Sequence, residues 1–254
     1  MNRRTWPRRL CLLGAMSAWT GVVVCFGDVV VRETRVGPMP TDLRQVAVTP
    51  DGSHAAVVGM GGSRPAVYID GHAGSPYSAI SPWASPEAGK PPPAFLGWSA
   101  DHTVLAYIAS KGGQFALVEN QREGPLFDAI TGVALSPVGH RIAYVARQGV
   151  QSTAANPMKV FVIVEGSVSP PWQSVQAVQF SADGRHVAYI AQRINGPLPN
   201  HVVVDGREGP GFAGIANLHL SPSGGHFAYV ADTLHPNKID RTVMLDGTPG
   251  PAFD

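Results

Sequence analysis

Apolar positions along the chain fall in short runs, each closed off by Gly, Pro, Ser or Asp. Asp183-Gly184-Arg185-His186-Val187-Ala188-Tyr189-Ile190 is representative: a polar turn hands over to a β-branched and aromatic run. Runs of this kind, punctuated roughly every 8–12 residues, predict strands joined by tight turns. No stretch beyond the N-terminus carries the 3.6-residue period of an amphipathic helix.

The runs repeat. The turn-and-strand segments that begin at Asp51, Asp101, Val138, Asp183 and Ser223 align on Ala56, Ala106, Ala143, Ala188 and Ala228, at separations of 50, 37, 45 and 40 residues. Each is preceded by a Ser- or Thr-led pair: Thr49-Pro50, Ser99-Ala100, Ser136-Pro137, Ser181-Ala182 and Ser221-Pro222. A second half-motif alternates with the first. It is clearest in Val204-Asp205-Gly206-Arg207-Glu208-Gly209-Pro210-Gly211-Phe212-Ala213-Gly214-Ile215, and its frame recurs from Asp70, Asn120, Glu165 and Asp246. A degraded copy occupies residues 31–43, with Glu33, Gly37 and Pro38 in register.

Each unit therefore reads as four strands. Strand a ends at the Ser-led turn, strand b is the Val-Ala-Tyr-Ile run, strand c is the β-branched run, and the Phe-x-x-Ile segment supplies strand d. One such sheet cannot bury both of its faces, whereas copies stacked around an axis can. The expected fold is all-β, a β-propeller of four-stranded blades. The repeats run at about 44–80, 94–130, 132–175, 177–215 and 216–254, with a partial copy at 29–43. Five blades are expected, closed with help from a strand at 29–31; a six-like ring that needs a second chain is the alternative.

The Ser-Pro-Asp-Gly-x-x-(Val/Ile)-Ala-Tyr-(Val/Ile)-Ala pattern resembles the TolB-type, WD-like propeller repeat of bacteria, in the variant that carries Asp-Gly-x-x-Gly-Pro-x-Phe. The resemblance covers about residues 29–254 and implies the propeller fold. It implies little about activity, because such propellers host unrelated tasks. The α/β domain that precedes the propeller in TolB has no counterpart here, nor does the hydrolase domain of prolyl oligopeptidases.

Composition narrows the setting. Arg3, Arg4, Arg8 and Arg9 lead into an apolar stretch over residues 10–27 that only Ser17 and Thr20 interrupt. Residues 1–27 read as a signal peptide cleaved after Gly27 or as a retained N-terminal anchor. Both cysteines, Cys11 and Cys25, lie inside that segment, so the body at 28–254 has neither disulfide nor thiolate chemistry. Without the four leading arginines, 15 basic residues face 18 acidic ones, and nucleic-acid affinity is not expected. The expected location is the periplasm or cell surface of a bacterium, with membrane contact only through the N-terminal segment.

In an antiparallel meander the a–b and c–d turns share one end of the blade, and the b–c and d–a connections share the other. The irregular insertions, at 81–93, 148–158, 192–200 and 232–240, all fall at the second end, where variable loops on a rigid scaffold usually bind. Every b–c loop there holds a cation: Arg64, Lys111, Arg147, Arg193 and Lys238. Together with Trp83 and His235 they form the expected binding rim, suited to a protein or an anionic polymer.

Two further columns call for chemistry. His54, His186 and His226 precede strand b in three repeats, and Glu33, Asp70, Glu165, Asp205 and Asp246 stand at one strand end. The histidines lie on separate blades, too far apart for one Zn²⁺ with bonds of about 2 Å. The acids sit where Asp stabilises a turn. No nucleophile elbow, zinc-protease helix or phosphate loop is present. The expectation is a non-enzymatic exported scaffold with no catalytic residues, metal or cofactor. A glycan-acting or lactonase-like enzyme with a central-channel site is the alternative, and Gln179 and His219 are the polar strand-a residues that stand out for it.

Overall fold

The computed structural model describes residues 21–23, 32–34, 40, 42–43, 45–80, 96–149, 158–235 and 238–253. Most of the expected signal or anchor segment, the closing strand at 29–31 and the loop at 81–93 lie outside them. Among the described residues no helix is long and apolar enough to cross a membrane.

A short antiparallel ladder comes first, β1 (Gly21–Val23) with β2 (Arg32–Thr34). The first blade orders β3 (Gln45–Val48), β4 (Ala55–Gly61), β5 (Arg64–Ile69) and β6 (His72–Ala73). In the second, β7 (Ala79–Ile80) and β8 (Leu96–Trp98) both pair with β9 (Leu105–Lys111), followed by β10 (Gln114–Glu119) and β11 (Arg122–Glu123). The third comprises β12 (Ala129–Leu135), β13 (Ile142–Gln148), β14 (Lys159–Val164) and β15 (Ser167–Val168). The fourth comprises β16 (Ser174–Phe180), β17 (Val187–Gln192), β18 (Asn200–Val204) and β19 (Arg207–Phe212). The fifth comprises β20 (Gly214–Leu220), β21 (Phe227–His235), β22 (Lys238–Leu245) and β23 (Thr248–Phe253). Every pairing is antiparallel, and all but that of β7 with β9 join chain neighbours; these sheets are the five blades of a β-propeller. The chain divides at Ser78 into two compact units, the first holding the ladder and the first blade, the second holding blades two to five.

Strand b explains the Ala-Tyr column. Residues Leu105 to Ser110, Ile142 to Ala146 and Val187 to Ala191 are buried without alternation, because strand b is central in its sheet and both sheet faces meet neighbours. Within the second unit each blade packs on the next, and strand b of the fourth blade uses one face for the blade before it and the other for the blade after it. Ala106, Ile108, Phe115 and Leu117 of the second blade share a core with Ile142, Tyr144 and Ala146 of the third. Val162 and Trp172 then meet Tyr189, Ala191 and Val203, and Ala188, Ile190 and Val202 meet Leu218, Tyr229 and Met244. Burial of this kind contributes about 1.5–3 kcal/mol per large side chain. It also pushes the Tyr144 hydroxyl up to about 12, with Glu119 adding to the effect, so that ring stays neutral.

Strand d differs from the sequence expectation. The Phe-x-x-Ile segment does not form one strand; it is the crossover between blades. Phe127 and Trp172 bridge back to Phe115 and Val160 on strand c of their own blade, whereas Ile130 and Val175 already pair with strand b of the next. Strand d is instead the stretch just after the c–d turn, such as Arg207–Phe212. The motif is continuous because a single aromatic closes one blade three residues before an aliphatic opens its successor.

The turns at the a–b and c–d end are clamped by side chains. The Ser or Thr that leads each a–b turn is buried at Thr49, Ser99, Ser136 and Ser181. The hydroxyls of Thr49, Ser99, Ser181 and Ser221 accept the backbone N–H five residues on, at 3.0 Å from His54, 2.9 Å from Val104, 3.1 Å from His186 and 3.0 Å from His226, whereas Ser136 donates to the Val138 carbonyl. From the c–d turn, Asp70, Asn120, Asp205 and Asp246 accept the first N–H of strand b at 2.8, 2.9, 3.0 and 2.8 Å. These residues have φ of 46–51° and most are followed by a left-handed Gly, the two-residue geometry of tight hairpins. The second blade alone puts a non-glycine, Gln121, at that following position (φ 66°).

The same acids meet the histidine column. His54 Nδ1 lies 2.7 Å from Asp70, His186 2.6 Å from Asp205 and His226 2.7 Å from Asp246. In the third blade Arg141 and Glu165 take these places at 3.1 Å, and in the second Val104 stands opposite the neutral Asn120. Neighbouring a–b turns also interlock. Asp183 N–H donates to the Pro222 carbonyl at 3.0 Å, and Arg141 donates to the carbonyls of Gly184 and Arg185.

Gly184 combines a φ of 71° with this close approach: a Cβ there would overlap Ser136 Oγ and sit 3.0 Å from the Val138 carbonyl oxygen. Gly206 has a similar φ of 75° and open space around it. Gly206→Ala is expected to lose about 1 kcal/mol from backbone strain alone. Gly184→Ala should lose clearly more, about 2–4 kcal/mol, in chemical denaturation, since backbone and a buried hydroxyl must shift. Equal losses would show that the turns do not interlock.

Asp101, Asp183 and Asp246 are held below the ordinary carboxylate range, chiefly by the hydrogen bonds from Ser99, Ser181 and His226 respectively. A carboxylate depressed on folding contributes stability above its unfolded pKa of about 4 and loses it as pH falls through the lower folded value. Thermal stability should therefore fall steadily below about pH 4. Asp246→Asn should flatten that acid limb while lowering stability at neutral pH, a difference read by melting curves across pH.

Candidate binding rim

At the b–c end of the blades the expected cations are present, and most are already engaged. Lys111 ends strand b of the second blade and reaches across strand c to Glu123 on strand d, 2.9 Å away. Arg193 follows strand b of the fourth blade and makes a two-pronged pair with Glu208, at 2.7 and 2.6 Å, which raises its pKa. Lys238 opens strand c of the fifth blade and holds Asp240 at 2.9 Å, while His235 approaches the same carboxylate at 3.0 Å. Asp240 is in consequence held below its usual range, with Lys238 the leading cause. Arg147 lies within strand b of the third blade, and its Nε is buried with no hydrogen bond among the described residues. Arg64, in the first unit, is exposed at the start of β5. Trp83 lies outside the described residues.

Cations that a sequence places in equivalent loops thus do not add up to a free positive belt. The missing signal was the carboxylate column two strands away: Glu123 and Glu208 both occupy the second position of strand d, facing back to the strand-b end. Screening by a partner in the same blade leaves little field for a distant anion.

The fourth blade builds the most ordered part of this end. Glu208 also lies 3.0 Å from His201 Nδ1, which is within 3.1 Å of the Gly209 carbonyl oxygen. The Arg193 guanidinium stands over the Trp172 ring at 5.9 Å, and Arg193 N–H donates to the Pro199 carbonyl at 2.8 Å. Gly211 admits no side chain, since a Cβ would crowd both the Leu198 carbonyl and His201. The insertion at 192–200 is therefore closed at its base, with the Leu198 side chain left exposed.

The fifth blade supplies the longest hairpin. β21 and β22 stay paired out to His235 and Lys238, two residue pairs beyond the last equivalent pair of the first three blades. Leu234 and Ile239 face each other across it, 61% and 54% exposed. Arg241 and Asp232 pair at its base at 3.2 Å. An apolar cross-strand pair held out on a rigid ribbon, with its neighbouring charges already satisfied, has no packing role inside its own blade.

Among the described residues no cluster of His, Cys, Asp and Glu is placed to hold a metal ion. The acid column does turn and clamp work, and the histidine column is its partner rather than a ligand set.

No protein-family model matches the chain, and no curated protein matches it in sequence. Solved structures similar to it are propeller proteins among others. TolB from Acinetobacter baumannii is 15% identical over 88% of this chain, with a TM-score of 0.34. The β-propeller domain of the Trilobed protease from Pyrococcus furiosus is 13% identical over 91% of this chain and 76% of its own length, with a TM-score of 0.40. A eukaryotic initiation factor is 14% identical over 89% of this chain, with a TM-score of 0.42. The chain spans 59% of the length of both that factor and the Acinetobacter TolB. The propeller assignment rests on the five sheets and their repeat; like the TolB-type motifs, it concerns fold and leaves activity to the residues.

Proposed function

We propose that the protein is a non-catalytic propeller scaffold, exported by way of residues 1–27, that binds another protein at the b–c and d–a end of its blades. The observation that carries this reading is the fifth-blade hairpin, where Leu234 and Ile239 form an exposed apolar pair. Aliphatic side chains held rigidly in water lose little entropy on docking, and a partner's apolar pocket would remove them from solvent. The pairing of Lys111, Arg193 and Lys238 with carboxylates favours a protein over an anionic polymer, whose capture depends on unspent positive charge. Arg64, Arg147, Trp83 and His235 remain part of the proposed rim.

The test is affinity capture from a bacterial envelope extract with the mature chain. A partner set retained by Val138→Asp, which alters an exposed residue at the opposite end of a blade, and lost with Leu234→Asp plus Ile239→Asp, is the expected result. At about 1–2 kcal/mol per lost aliphatic contact, the double variant should weaken binding by tenfold or more. Binding indifferent to the hairpin variant would reject the rim assignment. Turnover of a sugar or lactone by the purified chain would instead establish the enzymatic reading.

A further inference from the structure

Strand a, the strand nearest the axis of a propeller blade, is irregular in the same way in three successive blades of the second unit. The pairing of β12 with β13 shifts between Ile130 and Gly132, that of β16 with β17 between Gln176 and Gln179, and that of β20 with β21 between Ala216 and His219. An extra residue in one strand of a ladder re-aims side chains that strict alternation would bury. The effect is visible in the burial pattern: Gln176 with Ala177, and Ala216 with Asn217, are consecutive exposed residues within one strand. Thr131 is exposed at the matching place in the third blade.

Two of these positions are also strained. Ala177 and Asn217 both have φ of 54°. Asn tolerates that region, but for Ala it costs about 1–2 kcal/mol. Strain repeated at equivalent positions of a rigid scaffold is a reason to look for a role.

The side chains so displayed share one chemistry. β12, β16 and β20 contain no charged residue, and their exposed polar groups are Thr131, Gln176, Asn217 and His219. Among the described residues, none of the side chains of Gln176, Asn217 and His219 is engaged in a hydrogen bond. Gln179, in contrast, is consumed: its amide donates to the Leu218 carbonyl at 2.7 Å and ties β16 to β20. That bond links β16 to β20 next to both bulges.

We infer that the bulged strands of blades three to five form a binding surface for a neutral carbohydrate, with Gln176, Asn217 and His219 as its principal contacts. Amide and imidazole groups both donate and accept, which matches the paired donor and acceptor character of sugar hydroxyls. An anionic or cationic ligand would need a counter-charge, and these strands supply none. The surface is separate from the hairpin at Leu234 and Ile239, so either assignment stands without the other.

Saturation-transfer NMR on the full mature chain, with a mixture of maltose, cellobiose, lactose and sucrose at millimolar concentration, tests the inference. Transfer to at least one sugar is expected from the wild-type protein and from Leu234→Asp plus Ile239→Asp. Gln176→Ala plus Asn217→Gly should weaken binding about tenfold with the melting temperature kept, since both residues are exposed and glycine adopts the φ of 54° at 217 without strain. Ala177→Gly, which relieves the strain and removes no contact, should retain binding. No transfer to any of the four sugars, or transfer undiminished in the Gln176 and Asn217 variant, would overturn it.

Discussion

Everything in these blades depends on how a four-stranded sheet ends. Strand b is buried on both faces, so its first N–H cannot turn to water at no cost, and an orphaned buried donor costs about 1–3 kcal/mol. The chain answers with one acceptor for the N–H just before the strand and another for this first N–H, brought from different places in sequence. A Ser or Thr hydroxyl comes from the turn before the strand, and an Asp or Asn oxygen comes from the turn two strands later. The second of these ties the a–b hairpin to the c–d hairpin and so fixes the register of the whole blade. Apolar packing between blades then proceeds on sheets whose geometry is already set.

That clamp clarifies how much could be read in advance. The Ser column, the Asp column and the Ala-Tyr runs were legible because each is a local requirement: a turn, a left-handed residue, a strand buried on both sides. The link between columns was not read, although the residues carry it. His goes with Asp in three blades, Arg141 with the longer Glu165, and Val104 with the neutral Asn120. The partner changes in charge and length together, as a contact demands, but only the fold says that residues 16–24 positions apart come together. The Phe-x-x-Ile segment misled for a related reason. A conserved spacing within the repeat looked like one strand, whereas it measures the step from one sheet to the next.

The candidate rim was legible in place and not in charge. Loop insertions at the b–c end are a matter of topology, and topology follows from counting strands. Whether a lysine or arginine there is free depends on what strand d presents opposite it. Glu123 and Glu208 belong to the Asp-Gly half-motif, far enough along the chain to be assigned to a turn. The bulges in strand a were invisible for a different reason: Gln176-Ala177 and Ala216-Asn217 have ordinary strand composition, and the extra residue is apparent only against its pairing partner.

Taken together, the two ends of the second-unit blades are built on opposite principles. At the a–b and c–d end, carboxylates, hydroxyls and imidazoles bond one another within a blade and to the next, and neighbouring turns interlock at glycine. Little there is left over for a partner. At the other end Lys111, Arg193 and Lys238 are likewise neutralised within their own blades, but the hairpins are unequal in length and one carries aliphatic side chains outward. Charge that is spent internally cannot steer a partner from a distance, so a partner bound at that end, as proposed, would be recognised through shape and apolar burial at short range. Such contacts favour slow dissociation over fast capture. A scaffold of this construction is suited to holding a partner already nearby, as two proteins confined to one compartment would be.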